Sequence, residues 1–380
     1  MKLKKIMSAV VATTTLLTGT AFHASASKAT ILQGDANNDN SVNVSDVAWL
    51  SRYLVGKENA DSYNITCADA TRDGIIDYQD HNMILDFCIN KDSNKPITYQ
   101  AELYDNLNNE ERDYYKFSYA NGEATGIEEY TLEKPVSKAR TYSLLREAEE
   151  EYDYDFVRDY SNTGVVKVGN GSGFIVDDHL VLTAAHCVCG GTASNILVAE
   201  DLTVTVYNSD ETTFKVYTVD SIHVPQKYFD FDDKGGSTYN VDFDYALIHI
   251  DSRYDNIPSK TFSQYEPFQI GYITKKFIEK QITVTTSGFT AIPDSSEGMH
   301  RYYSVGNIVS DSTDLRYHAY ANANYGDSGG LAYYNSVYNE EVIKSAIGNI
   351  TGGGEGADYD SSGVRITPTI ARFIFNNEYI

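Results

Sequence analysis

The chain is short of positive charge. Its 380 residues carry 30 Lys and Arg against 54 Asp and Glu, a formal net charge of −24. Nucleic-acid binding needs clustered cations to displace counterions, so that class is set aside. A soluble secreted protein, or one that gathers carboxylates around calcium, fits the balance. Cysteine is scarce as well, with four residues in all, too few to build a chain of this length on disulfides. Cys187 and Cys189 are two apart and would bridge only under strain. Cys67 and Cys88 flank one small segment and could pair, a point that spacing alone leaves open. Long apolar runs are missing beyond the first residues. Met1-Lys2-Leu3-Lys4-Lys5, an apolar run from Ile6 to about Ala21 and Ala24-Ser25-Ala26 have the form of a secretory signal peptide over residues 1–26. The run is too short and too Thr-rich to span a bilayer, and no later stretch could. The expected mature protein begins near Ser27 and is extracellular. What is abundant is tyrosine, 31 residues, and a hydrophobic fraction of 42%, which is that of a globular protein.

The carboxylates are not scattered. In residues 34–46, oxygen-bearing side chains fall at loop positions 1, 3, 5, 9 and 12, as Asp35, Asn37, Asp39, Asn43 and Asp46. Ser41 at position 7 would offer its carbonyl. This is the ligand spacing of an EF-hand loop, with Asp in place of the final Glu. Asn40 stands where the turn glycine is expected, and Asn tolerates the left-handed conformation. The pattern recurs as Asp69, Thr71, Asp73, Asp77 and Asp80, with Ile75 at position 7. Each loop leads into an amphipathic helix, carrying Val47, Leu50, Tyr53 and Leu54 in one case and Met83, Ile84 and Phe87 in the other. Two loops in register, each followed by such a helix, predict two structural calcium ions.

With the Tyr53-Leu54-Val55-Gly56 run, these residues resemble a type I dockerin over residues 33–92. The resemblance implies a small all-α module that binds a cohesin domain on a scaffolding protein. It thereby implies a cellulosome-type assembly at a bacterial cell surface, in a setting of polysaccharide breakdown. The family's partner contacts map onto Val44, Ser45, Ser51 and Arg52, and onto Tyr78 and Gln79 in the second copy. The two copies differ at these positions, which speaks against symmetric binding in two orientations. Residues 93–160 read as an acidic, Tyr-rich linker or pro-segment, with one helix from about Ser137 to Glu151. A spacer packed on the next domain is the reading preferred over a removed pro-segment.

From Thr163 onward, short Val/Ile/Tyr/Thr runs alternate with Gly, Asn and Asp, an all-β signature that only the Thr367–Asn377 end breaks with a helix. Three motifs stand in this region: Thr183-Ala184-Ala185-His186-Cys187, Asp242-Phe243-Asp244 before an apolar strand, and Gly326-Asp327-Ser328-Gly329-Gly330. Alternation along a strand would place Asp242 and Asp244 on one side, with Asp244 preferred because it abuts the apolar run.

Histidine, aspartate and serine in this order resemble the chymotrypsin-like serine proteases over residues 161–380. Gly171-Ser172-Gly173-Phe174 leans toward the glutamyl-endopeptidase branch. The resemblance implies two six-stranded β-barrels with His186, Asp244 and Ser328 in the cleft between them, and the amides of Gly326 and Ser328 as oxyanion hole. It maps the specificity pocket onto Asn322, Ala323, Ile350 and Gly352. Ile350 stands where the branch carries a histidine, and Ala323 where it carries Thr or Ser. Asn322 stands where trypsin-like members carry Asp, so an uncharged residue before the scissile bond is expected. Cys187 lacks its usual partner, because Gly171 stands there, and is expected to be a thiol. The implied activity is that of a secreted serine endopeptidase on protein or peptide substrates, with no metal in the chemistry. The rival is a non-catalytic, protease-like binding module tethered by the dockerin. A glycosidase would need paired carboxylates, and no stretch argues for them.

Overall fold

The computed structural model describes residues 28–54, 58, 62–72, 76, 78–89, 98–102, 112–132, 156–177, 179–209, 214–230, 239–250, 268–270, 273, 278, 281–291, 299–310, 312–313, 315–338, 341–353 and 360–376. The expected signal peptide and the helix expected at 137–151 lie outside them. Among the described residues no helix is long and apolar enough to cross a membrane.

The first unit runs from strand β1 (Lys28–Leu32) through helices α1 (Val44–Leu54), α2 (Ser62–Ala68) and α3 (Tyr78–Ile89) to strand β2 (Thr98–Glu102). Helix α1 starts where it does because the Asn43 side chain accepts the Ser45 amide at 2.8 Å, and Asp46 then sits in its first turn. Trp49 stacks on Tyr53 one turn later, ring centroids 5.4 Å apart. With Leu50, Leu54, Ile65 and Ile84 they form a small buried core. Helix α2, between the loops, was not anticipated from the pattern. Strands β1 and β2 pair antiparallel, Lys28 opposite Glu102 and Leu32 opposite Thr98, and so tie the ends of the unit together. No disulfide joins Cys67 to Cys88, and none of the four cysteines forms one.

The larger part is built from strands β3 (Arg112–Ala120), β4 (Glu123–Leu132), β5 (Val157–Arg158), β6 (Val165–Val168), β7 (Gly171–Asp177), β8 (Leu180–Thr183), β9 (Cys189–Thr192), β10 (Asn195–Val198), β11 (Thr203–Tyr207), β12 (Phe214–Pro225) and β13 (Ala246–Ile250). It continues with β14 (Gln269–Ile270), β15 (Thr283–Ala291), β16 (Met299–Asn307), β17 (Arg316–Ala319), β18 (Leu331–Tyr338), β19 (Glu341–Gly353), β20 (Ser361–Arg365) and helix α4 (Pro368–Asn376). In the first sheet the order β11-β6-β7-β8-β13-β12 closes on itself through the β11–β12 pairing, giving a six-stranded barrel. In the second, β17-β20-β19-β18-β15-β16 runs as a continuous path, and an isolated bridge between Ile308 and Ala319 draws its ends together.

Alternating Val and Ile fill each barrel: Val166, Val181, Val204, Ile222 and Ile248 in the first, and Val284, Ala319, Ala332 and Ile347 in the second. A third cluster joins the barrels and receives the apolar face of α4, with Phe174, Leu182, Tyr245, Phe289, Leu331, Ile370 and Phe373 in contact. The two-barrel expectation and the C-terminal helix hold.

Within the connecting region, residues 112–132 pack on the following domain, as the preferred spacer reading expects, and do so as regular structure. Residues 112–132 form a hairpin whose strand β3 pairs with β12 over Ser221–Pro225, extending the first sheet. Its acidic composition hid this, because the exposed face of β4 carries the charge while Tyr114, Phe117 and Tyr119 of β3 are buried.

Candidate active site and calcium loops

Strand β8 ends at Thr183, and the chain turns at once into a 3-10 helix, Ala185–Cys187, that delivers His186 to the gap between barrels. A second 3-10 helix, Val241–Phe243, is capped by the Asn240 side chain, which accepts the Asp242 amide at 3.2 Å. This turn overrides the strand alternation expected there, so Asp242 and Asp244 do not share a face. Asp242 stays half-buried, whereas Asp244 is fully buried. Asp244 accepts the His186 Nδ1 hydrogen at 2.7 Å with one carboxylate oxygen and the His186 backbone amide at 3.0 Å with the other. Burial disfavours an imidazolium at His186, and the hydrogen bond and charge of Asp244 outweigh it, so the net shift in its basicity is upward.

Ser328 lines the same cleft as His186. This cleft, of about 430 Å³, is walled by Gly169–Gly171 and Ala199–Leu202 on one side and by Tyr325 and Gly326 on the other. The glycines of the serine loop answer to geometry. Gly326 has φ +98° and Gly329 φ +85°, and a Cβ on Gly326 would stand 2.3 Å from the Phe289 carbonyl oxygen. Ser172, on β7, grips the loop twice. Its Oγ donates to the Gly326 carbonyl at 2.7 Å, and its amide donates to the Ser328 carbonyl at 2.7 Å. Both carbonyls are thus turned inward. Among the described residues, the amides of Gly326 and Ser328 donate to nothing in the chain. That arrangement can receive an anionic oxygen.

Sequence reasoning missed several supporting groups. Ser172 shows in the sequence only as part of the Gly171-Ser172-Gly173-Phe174 motif. Asn349 is buried on β19 and donates through Nδ2 to the Asp244 carbonyl at 3.0 Å and the Thr183 carbonyl at 3.2 Å, fastening both catalytic-side loops. Tyr239 lies parallel to the His186 ring at 5.9 Å. Neither carries a local signal, since each acts through a contact far away in sequence. Asp327 is fully buried and accepts from Thr290 Oγ1 and, at 2.8 Å, from the Asn324 amide. Burial pushes its carboxyl up to about 7.

The four expected pocket residues stand apart from the cleft lining. Ile350 is buried and pairs through its backbone with the serine loop, donating to Gly330 and accepting from Gly329 at 2.8 and 2.7 Å. Asn322 is half-buried, its amide held by Ser304 Oγ at 2.9 Å. Ala323 and Gly352 are half-buried nearby, the Ala323 carbonyl lying against Gly353. Cys187 is a half-buried thiol in the cleft and donates to the Ser328 carbonyl at 3.3 Å.

In the first unit, carboxylate oxygens of Asp35, Asp39 and Asp46 lie within 4.8 Å of one another. Asp35 and Asp46 are fully buried. Burial, reinforced by the neighbouring carboxylates, pushes the Asp46 carboxyl up to about 6, and the Asp35 carboxyl also rises. Backbone amides curl the loop around them, Asp39 and Asn40 donating to Asp35 at 3.0 and 2.9 Å, and Asn37 to Asp46 at 3.1 Å. Asn38 and Asn40 take left-handed conformations, φ +59° and +65°. Crowded hard oxygens with Asn37, Ser41 and Asn43 on the same loop form a donor set that fits calcium.

The second loop repeats the frame. Thr71 donates its amide to Asp80 at 2.9 Å, the equivalent of Asn37 to Asp46, and Asp69 and Asp80 are buried. Asp73, Ile75 and Asp77 lie outside the described residues. On the surface, Val44 is 67% exposed and Ser45 and Arg52 are exposed, Arg52 pairing with Glu58 at 2.8 Å. Ser51 turns back, its hydroxyl on the Val47 carbonyl at 2.8 Å. Tyr78 and Gln79 open α3, and their side chains lie outside the described residues.

The trypsin family profile matches residues 156–370, and that of the dockerin type I domain matches residues 33–86. No curated protein matches the chain. Among solved structures, a Glu endopeptidase in complex with MPD shares 16% identity at a TM-score of 0.44, covering 60% of this chain and 98% of its own. Neuropsin, a serine protease expressed in the limbic system of mouse brain, shares 14% at 0.38, covering 59% and 98%.

Proposed function

The chain belongs to the trypsin family of serine peptidases and carries a type I dockerin domain, and from that premise we propose that it is a secreted serine endopeptidase docked on a scaffolding protein. The observation that carries the catalytic reading is that His186, held by Asp244 at 2.7 Å, and Ser328 line one cleft. Ser328 Oγ attacks the scissile carbonyl, His186 accepts its proton and returns it to the leaving amine, and Asp244 fixes the ring and stabilises its charged form. The Gly326 and Ser328 amides receive the oxyanion, a contribution of about 3–4 kcal/mol per donor. With Asn322 and Ala323 at the pocket, the residue before the scissile bond is uncharged.

Labelling by a fluorophosphonate tests the catalytic reading. Wild type takes the label and Ser328→Ala does not; undiminished labelling of the variant refutes it. A cleavage profile on a peptide library then gives the side-chain preference.

The domain arrangement is a signal peptide over residues 1–26, a dockerin over 33–92, a connecting segment over 93–160 and the peptidase domain over 161–380. Calcium, held by Asp35, Asn37, Asp39, Ser41, Asn43 and Asp46 and by the matching set from Asp69 to Asp80, supplies the charge that lets buried carboxylates sit together. The protein's own contribution is the loop frame of amides described above. The exposed Val44, Ser45 and Arg52 contribute to a cohesin-binding face, with Ser51, Tyr78 and Gln79 beside them. The assembly is extracellular, at a bacterial cell surface. Calorimetry against a cohesin panel tests this, and binding that survives EDTA would rule it out.

A further inference from the structure

The hairpin of β3 and β4 lies ahead of the segment matching the trypsin family, yet it reaches the candidate active site at two places. At its turn, the Gly122 carbonyl accepts the Asp201 amide at 2.8 Å, and Tyr119 Oη donates to the Ala199 carbonyl at 2.7 Å. Asp201 has φ +52°, a left-handed conformation for a residue with a side chain, and such strain persists only where the surroundings hold it. The turn is packed hard against it, since a Cβ on Gly122 would stand 2.6 Å from Asp201 Oδ1. Ala199, Glu200 and Asp201 wall the cleft that contains His186 and Ser328.

At its base, Arg112 Nη1 donates to Tyr245 Oη at 2.7 Å, and the Tyr114 hydroxyl lies 2.9 Å from the same oxygen. The Arg112 guanidinium also covers the Phe243 ring at 4.6 Å. Phe243 and Tyr245 bracket Asp244. The hairpin is itself anchored, by its register on β12 and by Tyr114 stacking on Phe373 of α4 at 4.1 Å.

We propose that residues 112–132 are a working part of the peptidase, retained in the active enzyme, and that they position the Ala199–Asp201 wall for the part of the substrate that follows the scissile bond. The assignment to that flank follows from the opposite one. Asn322, Ala323, Ile350 and Gly352 stand outside this cleft, beside the strand paired to the serine loop, and would read the residues before the bond. The inference rests on the serine-peptidase reading. Tyr119, Gly122, Arg112 and Tyr114 are positioning residues, acting through Ala199, Asp201 and Tyr245.

Tyr119→Phe and Gly122→Ala in the full, calcium-loaded chain test it. Two substrates are compared, an internally quenched peptide with four residues beyond the scissile bond and an anilide with none. Losing the Tyr119 hydrogen bond to the wall, or crowding Asp201 with a methyl at position 122, lowers kcat/KM on the long peptide roughly five- to tenfold, mostly through KM. The anilide rate changes less than twofold, and fluorophosphonate labels Ser328 at the wild-type rate. Equal losses on both substrates, or none on either, overturn the proposal. Should Gly122→Ala fail to fold, Tyr119→Phe keeps the ring in the core and still decides. Intact mass of the labelled enzyme from a secreting host should include residues 112–132, and an active species without them also overturns it. Wild type that takes no label is a different failure, of the serine-peptidase reading itself, and it shows before any variant is made.

Discussion

Both halves of the molecule bury acids, and they treat them in opposite ways. In the peptidase half, Asp159 is buried among donors: the amides of Ser161 and Asn162 at 3.0 Å, the Asn162 side chain at 2.5 Å and Ser287 Oγ at 2.7 Å. Burial opposes its charge, but those donors, with Arg301 nearby, outweigh burial and hold its carboxyl below the usual range. Asp244 accepts from His186 with both carboxylate oxygens, one from Nδ1 and one from the backbone amide. In the loop of residues 35–46, Asp35 and Asp46 are equally buried, yet their amide donors do not offset burial and the adjacent carboxylates, and both carboxyls rise. One set of acids is offset by the protein's own donors and the other is not. Catalysis should therefore be indifferent to calcium, and docking should depend on it.

The largest effect that could break this contrast is on catalysis. Ser328→Ala should lower kcat about a millionfold, while EDTA leaves the wild-type rate on a peptide unchanged; a chelator-sensitive rate would remove the distinction. Next comes docking. Asp35→Ala together with Asp69→Ala should abolish cohesin binding by calorimetry and leave fluorophosphonate labelling intact.

A smaller effect concerns Asp159. Asp159→Ala strands the Ser287 hydroxyl and the Asn162 side chain, and should cost the peptidase about 3 kcal/mol in denaturant unfolding, with the dockerin unaffected.

The smallest sharpens the exception, Asp327, whose carboxyl is raised from 3.8 to about 7. Its proton is held more tightly in the folded state than in the unfolded one. Peptidase stability should therefore be greatest below about pH 4 as far as this group is concerned, and fall as pH climbs from 4 to 7. The slope is at most about 1.4 kcal/mol per pH unit. Asp327→Asn should flatten that slope in calorimetric scans between pH 4 and 7.

Much of this was legible in the order of residues. The loop oxygens from Asp35 to Asp46 recur 34 positions later, and local spacing is all such a loop needs. His186, Asp244 and Ser328 announced themselves because each sits at the end of a strand or in a glycine turn with a fixed local form. What escaped was everything that depends on distant partners. Asn349 bridges to Asp244 across 105 positions. That residues 112–132 fold as a hairpin within the spacer was hidden because half of them face water. The strand alternation at Asp242 and Asp244 misled for a similar reason, as an Asn240 cap bends the chain before the strand begins.

One small hydroxyl has reach beyond its size. Ser172 belongs to the first barrel, yet it accepts the Phe289 amide from the second at 2.7 Å while holding the Gly326 carbonyl. Any loosening of one barrel against the other must let go of that oxygen. In rising urea, hydrolysis should thus fade before tyrosine fluorescence reports loss of either barrel, making turnover the most delicate gauge of how firmly the two halves are clasped.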